Sequence, residues 1–523
     1  MRLSPTLAAV GDQRSVGARE LVARIVDHGS WRTWDDPAVP IGPVDAGYAA
    51  ELAEARGRTG LDEAVVTGEA YLGGRRVAVV ACEFSFLAGT IGVAAAERLV
   101  RALERATAER IPVVASTASG GTRMQEGTVA FLQMVKITAA IAAHRAAGLP
   151  YLVYLRHPTT GGVFASFGSL GHVSAAEPGA LIGFLGPRVY EALYETPFPA
   201  GVQTAENLFE HGLIDAVVDP EELRGVAISA LDVLCGVLPG GAHARGTLEA
   251  LEAGRAVEVV DAARADRLGE VPAWESITRS RRADRPGVRA LLKVAATTVV
   301  PLNGTGQGET DPGLLLALAR FGEAPCVLLG QDRRASAQPL GPAGLREGRR
   351  GMRLAAELGL PLVSVIDTAG AALSQEAEQG GLAGEIARSL ADLAMLPAPT
   401  LCLLLGQGAG GGALALLPAD RVVAAQHAWV SPLPPEGASA IVHRTVARAP
   451  EMAEVQGVRS VDLLRNGVVD AVVPEHPDAA EEPEAFLARV GAVLERELLG
   501  LIAQDGEARL AARLARYRRL GLP

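Results

Sequence analysis

Reactive side chains are scarce in this chain, and each scarcity excludes a chemistry. There are four cysteines, Cys82, Cys235, Cys326 and Cys402, spread over the sequence with no CxxC spacing. That spacing rules against a structural zinc site and a disulfide framework, and fits buried thiols in a reducing cytoplasm. Lysine occurs only at Lys136 and Lys293. Neither follows a glycine-rich loop, and no GxxxxGK[ST] run exists, so a P-loop phosphate cradle is excluded. The histidines are scattered, and HExxH and GxSxG are both missing. No convincing dinucleotide fingerprint follows a strand. Clustered positive charge is also lacking: the net charge is -11, which argues against a nucleic-acid footprint. The opening stretch "MRLSPTLAAVGDQRS" has no apolar core long enough for a secretory signal. From Leu393 to Ala419 no residue is charged, but Pro397, Pro399, Gln407 and a glycine cluster interrupt the run. It reads as a buried strand–loop–helix unit, so no membrane span is expected.

What is present is ordinary globular material, 523 residues long, 49% apolar and 21% charged. That length suits two to four domains. The chain also repeats itself. "IPVVASTASGG" (111–121) faces "LPLVSVIDTAG" (360–370) at an offset of 249. At the same offset "LPYLVYLRHPTTGGVFAS" (149–166) faces "APTLCLLLGQGAGGGALA" (398–415). Further on, "HGLIDAVVDP" (211–220) faces "NGVVDAVVPE" (466–475) at 255. Two copies of one domain are expected: residues 1–240, a linker over 241–285, and residues 286–523. The basic tail "RLAARLARYRRLGLP" reads as a solvated or partner-packed helix. Within each copy Val/Ile/Leu runs alternate with helical patterns. Strands are expected at 76–84, 111–117 and 150–155, with helices over 92–109 and 127–148. That alternation predicts α/β domains with mainly parallel sheets.

In such domains ligands gather where strands end and helices begin. "YLVYL", "RHPTTGG" and "VFASFGSLG" read as strand, tight loop and buried helix start. Glycine lets the backbone turn at positive φ and come close to a ligand. Free N–H groups at a helix start favour negative charge, so a pair of them forms an oxyanion hole. Glycines serving only close packing are the alternative, and their recurrence at matched positions of a repeat weighs against it. Ser166 and Ser169 lie near the first glycine pair, with His157 and His172 near in sequence. No histidine has a claim to activate either serine, and both histidines read as ordinary hydrogen-bonded residues. Glu126 in "GTRMQEG" could be a base, or a carboxylate complementing a helix start. The pattern suits a chemistry with two oxyanion holes and little acid–base work by the protein.

These residues resemble a known family. "ACEFSFLAGTIG", "SGGTRMQEGTVAFLQMVK", "PTTGGVFASFGSLGHVSAAEPGALIGFLGPRV" and "QTAENLFEHGLIDAVV" resemble the β subunit of bacterial acetyl-CoA carboxylase carboxyltransferase. "LGLPLVSVIDTAGAALSQEAEQGG", "GQGAGGGALALLPADRVV" and "SPLPPEGASAIV" resemble its α subunit. The order is that of fused, single-chain acyl-CoA carboxylase carboxyltransferases of high-GC actinobacteria. The resemblance implies a tandem ClpP/crotonase-like ββα-spiral fold. It implies transfer of CO2 from carboxybiotin, held on a separate carrier protein, to the α-carbon of a coenzyme A thioester. Gly161 and Gly162 would donate to the thioester oxygen. Gly411 and Gly412, with Ala413 beside them, would face the ureido oxygen of biotin. Gly120, Gly121 and Arg123 would be substrate-binding, and Arg75, Arg76, Arg98 and Arg101 join Arg123 as candidates for the CoA phosphates. No metal is implied. The resemblance further implies a site where the β-type half of one protomer meets the α-type half of another, hence a homodimer or larger even homo-oligomer. A biotin carboxylase would be a separate partner, because neither lysine sits between two methionines as a biotin carrier lysine does. Two departures stand out: the four-cysteine zinc ribbon is missing, and "DTAGAALSQ" lacks the proline that usually follows its threonine. Two other functions stay open on the sequence: a malonyl-thioester decarboxylase on the same fold, and a non-catalytic scaffold subunit of a carboxylase complex.

Overall fold

A computed structural model describes residues 16–38, 45–236, 242–254, 257–335 and 339–521. The opening stretch read for a secretory signal lies outside them, as do residues 39–44 and 237–240 of the expected first domain, 241 and 255–256 of the linker, and 336–338 and 522–523 of the second domain. Two compact units are formed, one from Met1–Glu210 with Ile214–Ile228, the other from His211–Leu213 with Ser229–Pro523.

In the first unit, β1 (Arg32–Thr33), β2 (Val65–Leu72), β3 (Arg75–Cys82), β4 (Val113–Ser119), β5 (Tyr151–Thr160), β6 (Val173–Ala176) and β8 (Ala216–Val217) line up in that order. A short β7 (Ile182–Gly183) pairs with the far end of β5. β1–β2 and β2–β3 are antiparallel, and every later pairing is parallel. The second unit repeats this plan with β9 (Thr298–Leu302), β10 (Leu314–Phe321), β11 (Ala324–Gln331), β12 (Leu362–Thr368), β13 (Thr400–Ala409), β14 (Arg421–Ala425), β15 (Trp429–Ser431) and β16 (Ala471–Val473).

The duplication read from sequence is thus built into the backbone. Strands β10 to β13 begin 249 residues after β2 to β5 (314 − 65, 324 − 75, 362 − 113 and 400 − 151). β16 begins 471 − 216 = 255 residues after β8, the offset of the "IDAVV" and "VDAVV" runs. Helices Val93–Ala108 and Pro342–Leu358 obey the same 249 (342 − 93). Crossover connections explain why the parallel strands are buried on both faces and read as unbroken apolar runs. In the first unit, helices Val93–Ala108 and Gly127–Ala146 place Leu99, Leu103, Ile137 and Ile141 against Val80, Val113 and Val153.

The stretch read as linker carries helices Ala242–Gly254 and Ala273–Ser280, and it packs within the second unit. Trp429 Nε1 donates to Ser280 Oγ at 2.9 Å, and Arg285 forms a fully buried bidentate pair with Glu475 at 2.7 Å. The basic tail packs on its own unit instead of standing in solvent: the Arg513 guanidinium is buried against Asp420 and four backbone carbonyls. Among the described residues one apolar segment, Met124–Ala146, is long enough to cross a membrane by length and composition alone. Its neighbour in space is helix Val93–Ala108, with which it shares the core of the first unit.

Helix Pro342–Leu358 buries Glu347, whose Oε1 accepts from the Gly304 amide at 3.2 Å. Burial pushes this carboxyl up to about 7 from 4.5. The folded state therefore holds a proton that the unfolded chain releases, so stability falls as pH rises from about 4.5 to 7. Glu347→Gln keeps an acceptor for Gly304 and removes the charge. Its melting temperature is expected to exceed that of the natural protein by several degrees at pH 8 and to match it at pH 5, in thermal scans at both values.

Candidate active site

Both glycine segments form the same local structure. β5 does not stop before "RHPTTGG" but runs through it to Thr160, so the expected tight loop is strand. Gly161 then takes φ +64°, a left-handed value that a side chain would strain, and a single helical turn follows over Gly161–Phe164. β13 likewise runs to Ala409, Gly410 takes φ +63°, and one turn spans Gly410–Leu414. The expected buried helices are therefore single turns. The first amides of a helix have no intrahelical partner, so each turn offers its N–H groups at a strand end.

The structure says which amides remain. Gly161 N–H is spent on the Phe184 carbonyl at 2.9 Å. Gly162, partly exposed, is next in line, while Val163 behind it is buried. In the second unit Gly411 is partly exposed, whereas Gly412 and Ala413 are buried. Helical periodicity commits the Ala413 amide to the Ala409 carbonyl. Of the residues assigned to the two holes, Gly162 and Gly411 combine a helix-start position with partial exposure, and they are repeat mates at 411 − 162 = 249.

Gly120 and Gly121 work by close approach. Their amides donate to the Ala88 carbonyl at 2.8 Å and Ser119 Oγ at 3.0 Å. A Cβ on Gly121 would come within 3.4 Å of Gly161 Cα, so these glycines let the β4 end lie against the first turn. In the second unit a Cβ on Gly412 would meet backbone atoms of Gly370 and Ala371 at 3.2 Å. The loop after β12, "DTAGAALSQ", is thereby packed on the second turn without the missing proline.

Arg123 is committed to partners within the fold. It is fully buried, forks onto Glu63 at 2.6 and 2.8 Å, and donates to the Thr90 carbonyl at 2.7 Å. Desolvation opposes the charge, but the hydrogen bonds and charge attraction of Glu63, with Tyr48, together outweigh it and hold the guanidinium charged. Arg98 is equally committed, to Asp62 at 2.9 and 2.8 Å. Arg76 pairs with Glu69 and Glu109 on the surface of the sheet. Arg101 is the more exposed, paired with Glu97 one helical turn away. Glu126 is a helix-start carboxylate, but for the other helix. Its Oε2 accepts from Val93 N–H at 2.6 Å, and its Oε1 takes the Tyr48 hydroxyl at 2.5 Å. Burial and Glu126 together push the Tyr48 hydroxyl up to about 12. Glu126→Gln is therefore expected to lower thermal stability by about 1 kcal/mol and to leave turnover within a few-fold of the natural protein, read from melting scans and initial rates.

His172 Nδ1 accepts from Tyr151 N–H at 3.0 Å, and His157 Nδ1 from Leu181 N–H at 3.1 Å. Ser166 Oγ donates to the Gly162 carbonyl at 2.5 Å, and Ser169 Oγ to the Phe164 carbonyl at 2.6 Å. Both hydroxyl protons are engaged with backbone, and neither serine meets a histidine. Among the described residues no cluster of metal-ligating side chains occurs. Sequence reasoning missed the residues behind the second turn. Gln331, at the end of β11, donates to the Gly412 carbonyl at 2.7 Å and accepts from Asp367 N–H at 3.2 Å. Asp367 is buried, and desolvation pushes its carboxyl up even beside Arg333 at 3.0 Å.

Comparison with known proteins places this geometry. Residues 18–219 match the model of the carboxyl transferase domain, and residues 248–521 match that of the acetyl co-enzyme A carboxylase carboxyltransferase-like family. A Mycobacterium tuberculosis protein named "Probable biotin-dependent acyl-coenzyme A carboxylase beta3 subunit" is 60% identical over 95% of this chain and 97% of its own. The chain belongs to the biotin-dependent acyl-CoA carboxylase carboxyltransferases. The carboxyltransferase beta/alpha subunits protein of Salinispora tropica is 38% identical over 98% of this chain and 92% of its own. The solved transcarboxylase 12S core, described as a hexamer with methylmalonyl-coenzyme A bound, superposes with a TM-score of 0.69 at 19% identity. It covers 90% of this chain and 89% of its own. That likeness gives the crotonase-like fold to both units of this carboxyltransferase.

Proposed function

We propose that this carboxyltransferase moves CO2 from carboxybiotin on a separate carrier protein to the α-carbon of an acyl-CoA, making malonyl-CoA or a homologue for fatty-acid synthesis in the cytoplasm. The observation that carries the reading is the matched pair of partly exposed helix-start glycines, Gly162 in one repeat and Gly411 in the other. Transfer of this kind develops negative charge on two oxygens in turn, at the thioester and at the ureido group. Carboxybiotin supplies the CO2 and, once that has left, a basic site for the α-proton. Gly162 N–H holds the thioester oxygen, and Gly411 N–H holds the ureido oxygen. Neutral amides at helix starts stabilise such oxygens without themselves exchanging protons. No side chain at either turn is placed as a general base, and none is needed.

Each site takes one turn from each of two copies of the chain, in a homodimer or larger even assembly. The repeat supports this, because its two halves expose apolar side chains at equivalent positions. Met124 and Leu373 are 80% and 93% exposed, and exposed Phe184 and Leu193 correspond to exposed Leu433 and Val442, all 249 apart. Val129, Phe131 and Val135 extend the exposed apolar surface of the first unit. Apolar surface this extensive around a polar turn suits a protein interface, and a duplicated surface suits a second copy. The test is a carboxylation assay with a panel of acyl-CoAs, a biotinylated carrier and its biotin carboxylase. Carboxylated acyl-CoA should form only with all components present. Consumption of malonyl-CoA without any biotin compound would instead mark a decarboxylase, and inertness throughout would mark a scaffold.

A further inference from the structure

A one-turn helix cannot hold itself, because it closes too few hydrogen bonds to offset the ordering of its backbone. Each turn must therefore be clamped from outside, and the two repeats do this with different residues. In the first, Ser166 reaches back from the end of the turn. Its Oγ donates to the Gly162 carbonyl at 2.5 Å and lies 3.4 Å from that of Val163. The repeat mate of Ser166 is Ala415 (415 − 166 = 249), which has no hydroxyl. There the Leu416 amide goes to the Ala413 carbonyl, and the Gly412 carbonyl is met by Gln331 Nε2 at 2.7 Å. Gln331 is itself held by the Asp367 amide, and Asp367 by Gln407 N–H at 3.0 Å and Arg333. The mates of Gln331 and Asp367 in the first repeat are Cys82 and Ala118, so the fold does not require polar side chains there. Both Gln331 and Asp367 are 2% exposed, a costly place for an amide and a carboxyl unless they are fully hydrogen-bonded.

We infer that Gln331 is a positioning residue for the second anion pocket: it fixes the turn that presents Gly411 N–H, as Ser166 fixes the turn that presents Gly162 N–H. The inference rests on the proposed role of the Gly411 amide. The clamps grip neighbouring carbonyls, Ser166 that of Gly162 (repeat mate Gly411) and Gln331 that of Gly412, so the inference implies that a hydroxyl at position 415 can hold the second turn through either carbonyl.

The test uses the full chain with its biotinylated carrier and biotin carboxylase. Gln331→Cys, which installs the residue of the first repeat, should lower kcat about 10- to 100-fold, because small misplacement of a reacting geometry costs that much. KM for acyl-CoA should stay within twofold, since the thioester side is untouched. Adding Ala415→Ser should recover most of the lost kcat by supplying the hydroxyl clamp. A loss of bulk stability alone would not be rescued in this way. Gln331→Cys with natural kcat overturns the inference. So does a folded double variant no more active than the single, or a double variant that does not fold. Gly411→Val, measured alongside, separates the two levels. If Gly411→Val is inactive while Gln331→Cys is unimpaired, only the positioning role fails. If Gly411→Val is fully active, the reading of the pocket fails with it.

Discussion

Gly411→Val should lose at least about 100-fold in carboxyl transfer with only a small change in melting temperature. The two readouts separate because of what a side chain would meet there. The atoms nearest a Cβ at Gly411 belong to the Ile386 side chain, whose terminal methyl lies at 2.7 Å and can swing aside. The fold therefore tolerates the change, while the added side chain sits next to the amide proposed to serve the ureido oxygen. Gly412→Val provides the contrast. Its Cβ would press on the Gly370 and Ala371 backbone at 3.2 Å, so stability and activity should fall together. Circular dichroism melting curves and single-turnover transfer rates on the two variants distinguish these outcomes. Natural activity in Gly411→Val would remove the second pocket from the account.

The second large effect is on stability. Arg123→Met strips the guanidinium from a carboxylate that is only 2% exposed, leaving Glu63 with Ala64 N–H as its remaining close donor. Breaking a buried pair on one side costs about 3–5 kcal/mol, because the surviving charge stays desolvated. The variant is expected to melt far below the natural protein or to accumulate insoluble. The double change Arg123→Met with Glu63→Gln should recover a substantial part of the loss. In any folded fraction, KM for acyl-CoA should be unchanged. A well-folded Arg123→Met protein with strongly raised KM would return Arg123 to the CoA phosphates.

Arg123 also marks where sequence reading ends. "SGGTRMQEG" announces a special loop, but an arginine in such a loop looks the same whether it faces a phosphate or a buried glutamate 60 residues earlier. Glu126 was legible as a helix-start carboxylate, yet the helix it serves begins at Val93, a long-range contact that local pattern cannot show. The duplication was fully legible, because strands buried on both faces keep apolar runs in register over 249 residues. Glycine clusters marked the turns for the same reason: φ values near +64° and backbone contacts at 3.4 Å admit little else. Which amides in each cluster are already taken depends on partners such as the Phe184 carbonyl, and these lie well outside the cluster in sequence. Gln331 went unnoticed because it ends an apolar strand. The signal was available, however, in the places where the two copies disagree: Cys82 against Gln331, Ala118 against Asp367, and Ser166 against Ala415.

The central claim is that one amide turn from each repeat serves a single reaction, with the two turns contributed by different copies of the chain. Mixing two dead variants tests it most directly. Gly162→Val and Gly411→Val chains, each inactive alone, are co-expressed, and transfer from carboxylated carrier to acyl-CoA is measured on the purified mixture. Random pairing puts both natural turns together in about a quarter of the sites, so about a quarter of natural activity should return. A mixture no more active than either variant alone would contradict the account.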